Sequence, residues 1–202
     1  DFIGIYPHQK IVVSQTNYDR NPFYGLNQLP SFLNPFEEDF LFEIKFLKTY
    51  LETYLKNSLH LDPRKDNWIY DALQMDAMIK YIEQYHPNTK MLGKASSYKL
   101  LKSYNLANLK FNEQYSYFYM LMARKNLDQT LGSTKTDLIK FNEQIASKYR
   151  AGLSIRFLDN YLQNDIVKNS IREFYIKNKA QQTSNTDFEN ILKSNTNKNI
   201  DW

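Results

Sequence analysis

The segment Phe36 to Leu55, FEEDFLFEIKFLKTYLETYL, constrains the fold more than any other stretch of the chain. Phe36, Phe40, Ile44, Leu47, Leu51 and Leu55 recur at helical spacing, and Phe42, Phe46, Tyr50 and Tyr54 form a second stripe beside them. A surface helix needs only one apolar stripe. Apolar residues over this much of the circumference predict a central, largely buried helix on which others pack.

The composition can supply the partners. With 202 residues the chain suffices for one domain with a real core, or for a lobe of a larger one. The hydrophobic fraction is 42%, but 16 Tyr and 13 Phe bring large areas to bury. The absence of cysteine excludes disulfides, thiolate nucleophiles and Cys-ligated metal or iron–sulfur sites, and leaves the compartment open, export to the cell envelope included. The net charge of +4 arises from 26 basic and 22 acidic residues interspersed along the chain, which reads as a mixed solvated surface, so no nucleic-acid partner is expected. No apolar run approaches the ~20 residues that span a bilayer, so no transmembrane segment is expected. The start without Met and the ending Asn199-Ile200-Asp201-Trp202 read as cuts within a longer protein.

Along the chain, Gly4 to Ser14 reads as a short strand after a turn. Asn17 to Pro35, rich in Asn, Pro and Gly, reads as ordered loop pinned by Phe23, Tyr24, Leu26 and Phe32. A second helix is expected over Asn67–Tyr85, with Trp68, Ala72, Met75, Ile79 and Ile82 on one face and Pro87 ending it. Further helices are expected at Ser96–Tyr104, Phe111–Lys125, Thr134–Ser147, Arg150–Leu162, Asp165–Asn178 and Asp187–Lys193, with Asp165 and Thr186 or Asp187 as caps. Lys179–Thr186 is polar and reads as a flexible link. The expected organisation is a strand and ordered loop over 1–35, a helical lobe over 36–178, and a polar link with a final helix over 179–202.

Four segments, taken in order, carry a resemblance. They are Gly4-Ile5-Tyr6-Pro7 with the strand after it; Trp68-Ile69-Tyr70-Asp71-Ala72-Leu73; Tyr149-Arg150-Ala151-Gly152 with a helix ending in Asp159-Asn160-Tyr161-Leu162; and Asp187-Phe188-Glu189 through Ile200-Asp201-Trp202. Together they resemble the catalytic domain of aminopeptidase-N-like gluzincin metallopeptidases, and the resemblance implies a mainly α chain: the helical lobe of such a domain, with a short N-terminal strand remnant. It places Asp71 at the position of the third zinc ligand. It makes Tyr149 a vestigial donor to the tetrahedral intermediate.

The chemistry of such a site needs two His four residues apart on one helix, a carboxylate from the next helix, and a Glu beside the first His to activate water. In the register Phe42-Glu43-Ile44-Lys45-Phe46, Glu43 stands at the general-base position and Phe42 and Phe46 at the two His positions. The register Leu51-Glu52-Thr53-Tyr54-Leu55 also lacks His. The only histidines, His8, His60 and His86, share no helix face. Two phenylalanine rings in place of imidazoles would fill the volume of a lost metal site. The expected function is therefore a non-catalytic, aminopeptidase-like domain that binds a peptide or protein or serves structure, with no cofactor unless the resemblance is functional, in which case zinc. Two alternatives stay open: an active zinc aminopeptidase completed by residues outside this chain, and an unrelated helical interaction module.

Other constellations read more plainly. Asp71 and Asp76 could join Glu43 as an acid group, though helix-surface carboxylates are commoner. Asp62–Asp66 reads as a charged cap before the second helix. Phe111, Tyr115, Phe118 and Met122 follow a helical stripe and read as core rather than a stacking platform. No serine lies in a GxSxG elbow, and the five glycines stand singly, so no phosphate loop is formed.

Overall fold

A computed structural model describes residues 3–21 and 34–201, and its framework is mainly helical. Seven α-helices occur among the described residues: α1 Gln15–Arg20, α2 Glu38–Ser58, α3 Asn67–Tyr85, α4 Glu113–Ala123, α5 Ser147–Leu162, α6 Ile166–Asn178 and α7 Asn185–Ser194. Two very short strands, β1 His60–Leu61 and β2 Gln182–Thr183, pair in parallel with His60 opposite Gln182 and Leu61 opposite Thr183.

Helices α2 and α3 form the centre. The Gln74 side-chain amide on α3 donates to the Lys48 carbonyl on α2 at 2.7 Å, and the Tyr81 hydroxyl donates to Glu43. Residue numbers thus rise along α2 as they fall along α3, so the pair is antiparallel. α5 lies across α3 at very close range. A Cβ added at Gly152 would sit 2.5 Å from the Met75 Cβ, so only glycine permits this approach. One core gathers Leu55, Ile69, Leu73, Ile155, Ile171, Phe174 and Phe188. A second gathers Phe40, Ile44, Met78, Phe111, Tyr115, Ile145 and Tyr149, with the half-buried Tyr50 touching both. Phe111, Tyr115 and Met122 are buried, in keeping with their reading as a core stripe.

Several expectations are corrected. Residues 3–14 form no strand, because their carbonyls have hydroxyl partners instead of a neighbouring chain: Tyr54 donates to the Gly4 carbonyl at 2.7 Å and Tyr175 to that of Ile5 at 2.8 Å. Those two rings stack at 5.8 Å, and Gly4 leaves room for the Tyr175 ring, which a Cβ there would meet at 2.5 Å. Residues Asn17 to Arg20 belong to α1, which Ser14 caps by accepting from the Asn17 N–H. Phe23, Tyr24, Leu26 and Phe32 lie outside the described residues, as does Trp202.

Ser96–Tyr104 is not an α-helix. The hydroxyls of Ser96 and Ser97 bond the carbonyls of Gly93 and Lys94, and the chain turns as a 3₁₀ segment, Gly93–Ser97. Within Thr134–Ser147 the helix begins only at Lys140, and a single π-turn, Asn142–Ala146, carries it directly into α5. The buried Asn142 amide holds it there by donating to the Leu127 carbonyl and to Gln129. The expected flexible link at Lys179–Thr186 is pinned: Gln182–Thr183 pairs with β1, and the Ala180 N–H donates to the Ser58 carbonyl at 2.9 Å. Asp165 precedes α6 in the left-handed region, φ 57°, and makes no side-chain cap. The cap of α7 is Ser184, with Asp187 closing a capping box from the third helical position.

Candidate functional site

The antiparallel register of α2 and α3 decides what faces Asp71. Gln74 lies opposite Lys48 and Tyr81 opposite Glu43, so Asp71, three residues before Gln74, faces the Lys48–Glu52 stretch of α2. Glu43 is about two and a half turns of helix away from Glu52. The structure therefore does not bring Glu43 and Asp71 to one site.

Asp71 is 14% exposed and lies 3.5 Å from the Lys148 ammonium of α5, while its second oxygen accepts from Asn67 at 2.7 Å. Lys48 and Glu52 sit four residues apart and share one face of α2. Asn21, just after α1, bridges them: its carbonyl oxygen accepts from Lys48, and its NH2 donates to Glu52 at 2.7 Å and to the buried Thr49 hydroxyl at 3.4 Å. Two ammonium groups and two carboxylates from α2, α3 and α5 thus act on one another, and one of them, Glu52, lines an open polar cleft of about 410 Å³ with Arg20, Asn21, Thr49, Thr53 and Lys56 among others.

The charges tune one another. Burial, with Lys148 adding its repulsion, pushes the Lys48 ammonium down to about 8, and Glu52 and Asp71 act against that fall. Lys148 moves the other way: the Asp71 carboxylate holds its proton, outweighing burial. Burial raises the Asp71 carboxyl above its ordinary value, and Lys148 opposes the rise. Burial alone would raise Glu52 too, but the Lys56 hydrogen bond and the charges of Lys56, Lys148 and Lys48 together hold it below the usual carboxylate range.

The residues singled out in the sequence are placed as follows. Glu43 accepts from the Tyr81 hydroxyl and pairs with His86 at 2.7 Å; the Tyr81 bond, against burial and with help from His86, holds its carboxyl below the ordinary value. Tyr149 is buried, edge-on to Tyr115 at 4.8 Å and near Phe118 at 6.0 Å. Asp76 is buried against Lys80 at 3.0 Å, so Asp71, Asp76 and Glu43 have three separate sets of partners. Phe42 and Phe46 do not fill a core: they are 60% and 42% exposed and stack on each other at 5.9 Å, with Phe42 also 5.8 Å from Tyr18 of α1. The first half of that second stripe, Phe42 and Phe46, thus faces α1 and solvent, while Tyr54 farther along is buried in the core and Tyr50 packs against it.

The sequence reading missed Lys48, Lys148 and Asn21. Their signal was present: a Lys and a Glu four apart on the central helix α2, and a Lys directly before Tyr149. The zinc that the resemblance implies does not fit this donor set. Protonated lysines offer no lone pair to a cation, and two of them repel it. Among the described residues no group of three or more His, Asp and Glu is placed to hold a metal ion. No described helix is long and apolar enough to cross a membrane. Comparison with family models, curated proteins and solved structures finds no match to the chain.

Proposed function

We propose that this chain is a non-catalytic, aminopeptidase-like domain, derived from the helical lobe of a gluzincin scaffold and used for binding or structure. The observation that carries the reading is the residue set around Asp71. A zinc peptidase of this kind places two His, four residues apart, opposite a carboxylate of the next helix. Here the pair opposite Asp71 is Lys48 and Glu52, and Lys148 supplies a further positive charge. An ammonium beside each carboxylate balances the charge that a divalent ion would otherwise balance, so the helices pack without a metal. The polar cleft next to the cluster is the surface where a peptide or protein ligand would be held. Equilibrating the protein with zinc, washing, and measuring metal content and aminopeptidase turnover on the same sample tests the reading. No retained zinc and no turnover is the expected result; stoichiometric zinc with turnover would overturn it.

A further inference from the structure

We propose that loop 90–110 is a docking surface for an anionic lipid bilayer. Acids and bases are mixed along most of the chain, but residues 84–112 carry five lysines, Lys90, Lys94, Lys99, Lys102 and Lys110, with no acidic residue and no arginine. The rest of the chain then holds one more acid than base, so the whole positive excess of the protein comes from this stretch. Four large apolar side chains stand among those lysines: Leu100 is 79% exposed, Tyr98 and Tyr104 are each 62% exposed, and Leu106 is exposed as well. They fall within nine residues that turn repeatedly on themselves. The Tyr98 carbonyl accepts from the Leu101 N–H at 2.9 Å, that of Leu101 from Tyr104 at 3.0 Å, and that of Tyr104 from Ala107 at 3.0 Å. Exposed apolar side chains this dense mark a surface that something else covers.

The base of the loop is fixed to the body. Lys90 and Lys110 form an antiparallel bridge, the Met91 N–H donates to the Leu109 carbonyl at 2.9 Å, and the Phe111 N–H donates to that of Thr89 at 2.8 Å. Gly93 takes a left-handed φ of 51° where a Cβ would sit 2.3 Å from the Pro35 carbonyl oxygen, and the Lys94 N–H donates to that oxygen at 2.7 Å. Among the described residues only Lys94 of the five lysines meets a carboxylate, that of Glu37 at 2.8 Å, and Lys90 donates to the Asn108 carbonyl. The acids bounding the stretch are engaged: Glu83 by Arg156, and Glu113 by the Lys110 N–H. Lys99, Lys102 and the Lys110 ammonium are left to meet an outside anion.

Of the polyanions, a bilayer surface matches this composition. Leu100 and Leu106 have no ring to stack on a base, and the stretch lacks the arginine forks that read nucleic acid. Tyrosine and leucine beside lysine suit the membrane interface: tyrosine sits at the headgroup level, leucine enters the acyl boundary, and lysine meets the lipid phosphates. A second copy docked through the same face would bring like charges together. The inference does not rest on the peptidase ancestry proposed above.

The test is co-sedimentation of the full chain with vesicles of phosphatidylcholine alone and of phosphatidylcholine with about one-third phosphatidylglycerol, at an ionic strength of about 0.1 M. Binding to the anionic vesicles should be at least about tenfold tighter than to the neutral ones, and should weaken as salt is raised. Lys99→Glu with Lys102→Glu should weaken it at least about tenfold further. Lys125→Glu with Lys179→Glu, at exposed lysines outside the stretch, should change it by less than about threefold. Leu100→Ser with Tyr104→Ser should weaken it at least about fivefold while leaving its salt dependence in place. All the altered side chains are exposed, so circular dichroism and melting temperature should match those of the wild type. No binding to the anionic vesicles, or binding unchanged by either loop variant, would overturn the inference. An equal loss in the two lysine pairs would overturn it as well, since net charge alone would then account for the attraction. Tighter binding of polyuridylate than of the vesicles, lost with the same two lysines, would assign the loop to nucleic acid instead.

Discussion

The Asp71 carboxylate of α3 lies 3.5 Å from the Lys148 ammonium of α5, and this pair ties together the two helices that pack most closely in the fold. Asp71 is 14% and Lys148 31% exposed, so the pair is neither a free surface contact nor a dry one. Removing one partner leaves a largely covered charge without its counter-charge, whereas removing both does not.

Lys148→Met should therefore cost more than the double change Asp71→Asn with Lys148→Met. Allowing for solvent at the pair, the single change is expected to cost about 1–3 kcal/mol. Urea unfolding of the four proteins of the cycle measures it. Additive effects would mean that the two groups do not interact.

Gly152→Ala should destabilise although alanine is the better helix former. The added Cβ would meet the Met75 Cβ at 2.5 Å, and the neighbouring atoms are the backbone of Met75 and Asp76, which cannot swing away. Overpacking of this kind costs about 1–3 kcal/mol, more than the helix propensity gained. Thermal unfolding should show a lower midpoint; a rise would place α5 farther from α3 than described.

Glu43 gives a pH prediction. Its folded carboxyl titrates below its unfolded value, through the Tyr81 hydrogen bond first and His86 after it. Its contribution to stability is thus fully present above the ordinary carboxylate range and is lost as pH falls through the depressed folded value. The melting temperature of the wild type should fall more between pH 6 and pH 3 than that of Glu43→Gln. Parallel pH profiles would sink the assignment. The side chain is 38% exposed, so the difference should be modest and shrink with salt.

How far the sequence reveals this molecule depends on which force fixes each part. The α3 bounds Asn67–Tyr85 follow from an apolar face and a terminating proline, and the structure reproduces them. The burial of Phe111 and Tyr115 was equally legible, since helical spacing is a local property. What failed was decided between elements. Valines and isoleucines near the N-terminus suggest a strand, yet the partners of that backbone are tyrosine hydroxyls from α2 and α6, which no local pattern announces. Phe42 and Phe46 look like core by type, but which part of α2 is covered on that side is set by what packs beside it: they stay exposed while Tyr54, on the same stripe, is buried. The same holds for the candidate site. Asp71 was picked out, while the residues facing it became visible only once the Gln74–Lys48 bond fixed the register of α2 against α3.

The central claim is that Asp71 faces the Lys48–Glu52 face of α2, and that ammonium groups take the place where a helix-pair metal site would be built. Calorimetric zinc titration of two variants tests this most directly, because His residues four apart opposite a carboxylate bind zinc only in the correct register. Lys48→His with Glu52→His and Lys148→Met should bind one zinc per chain and melt at a higher temperature when loaded, and Phe42→His with Phe46→His should do neither. Zinc binding by the second variant and not by the first would contradict the account.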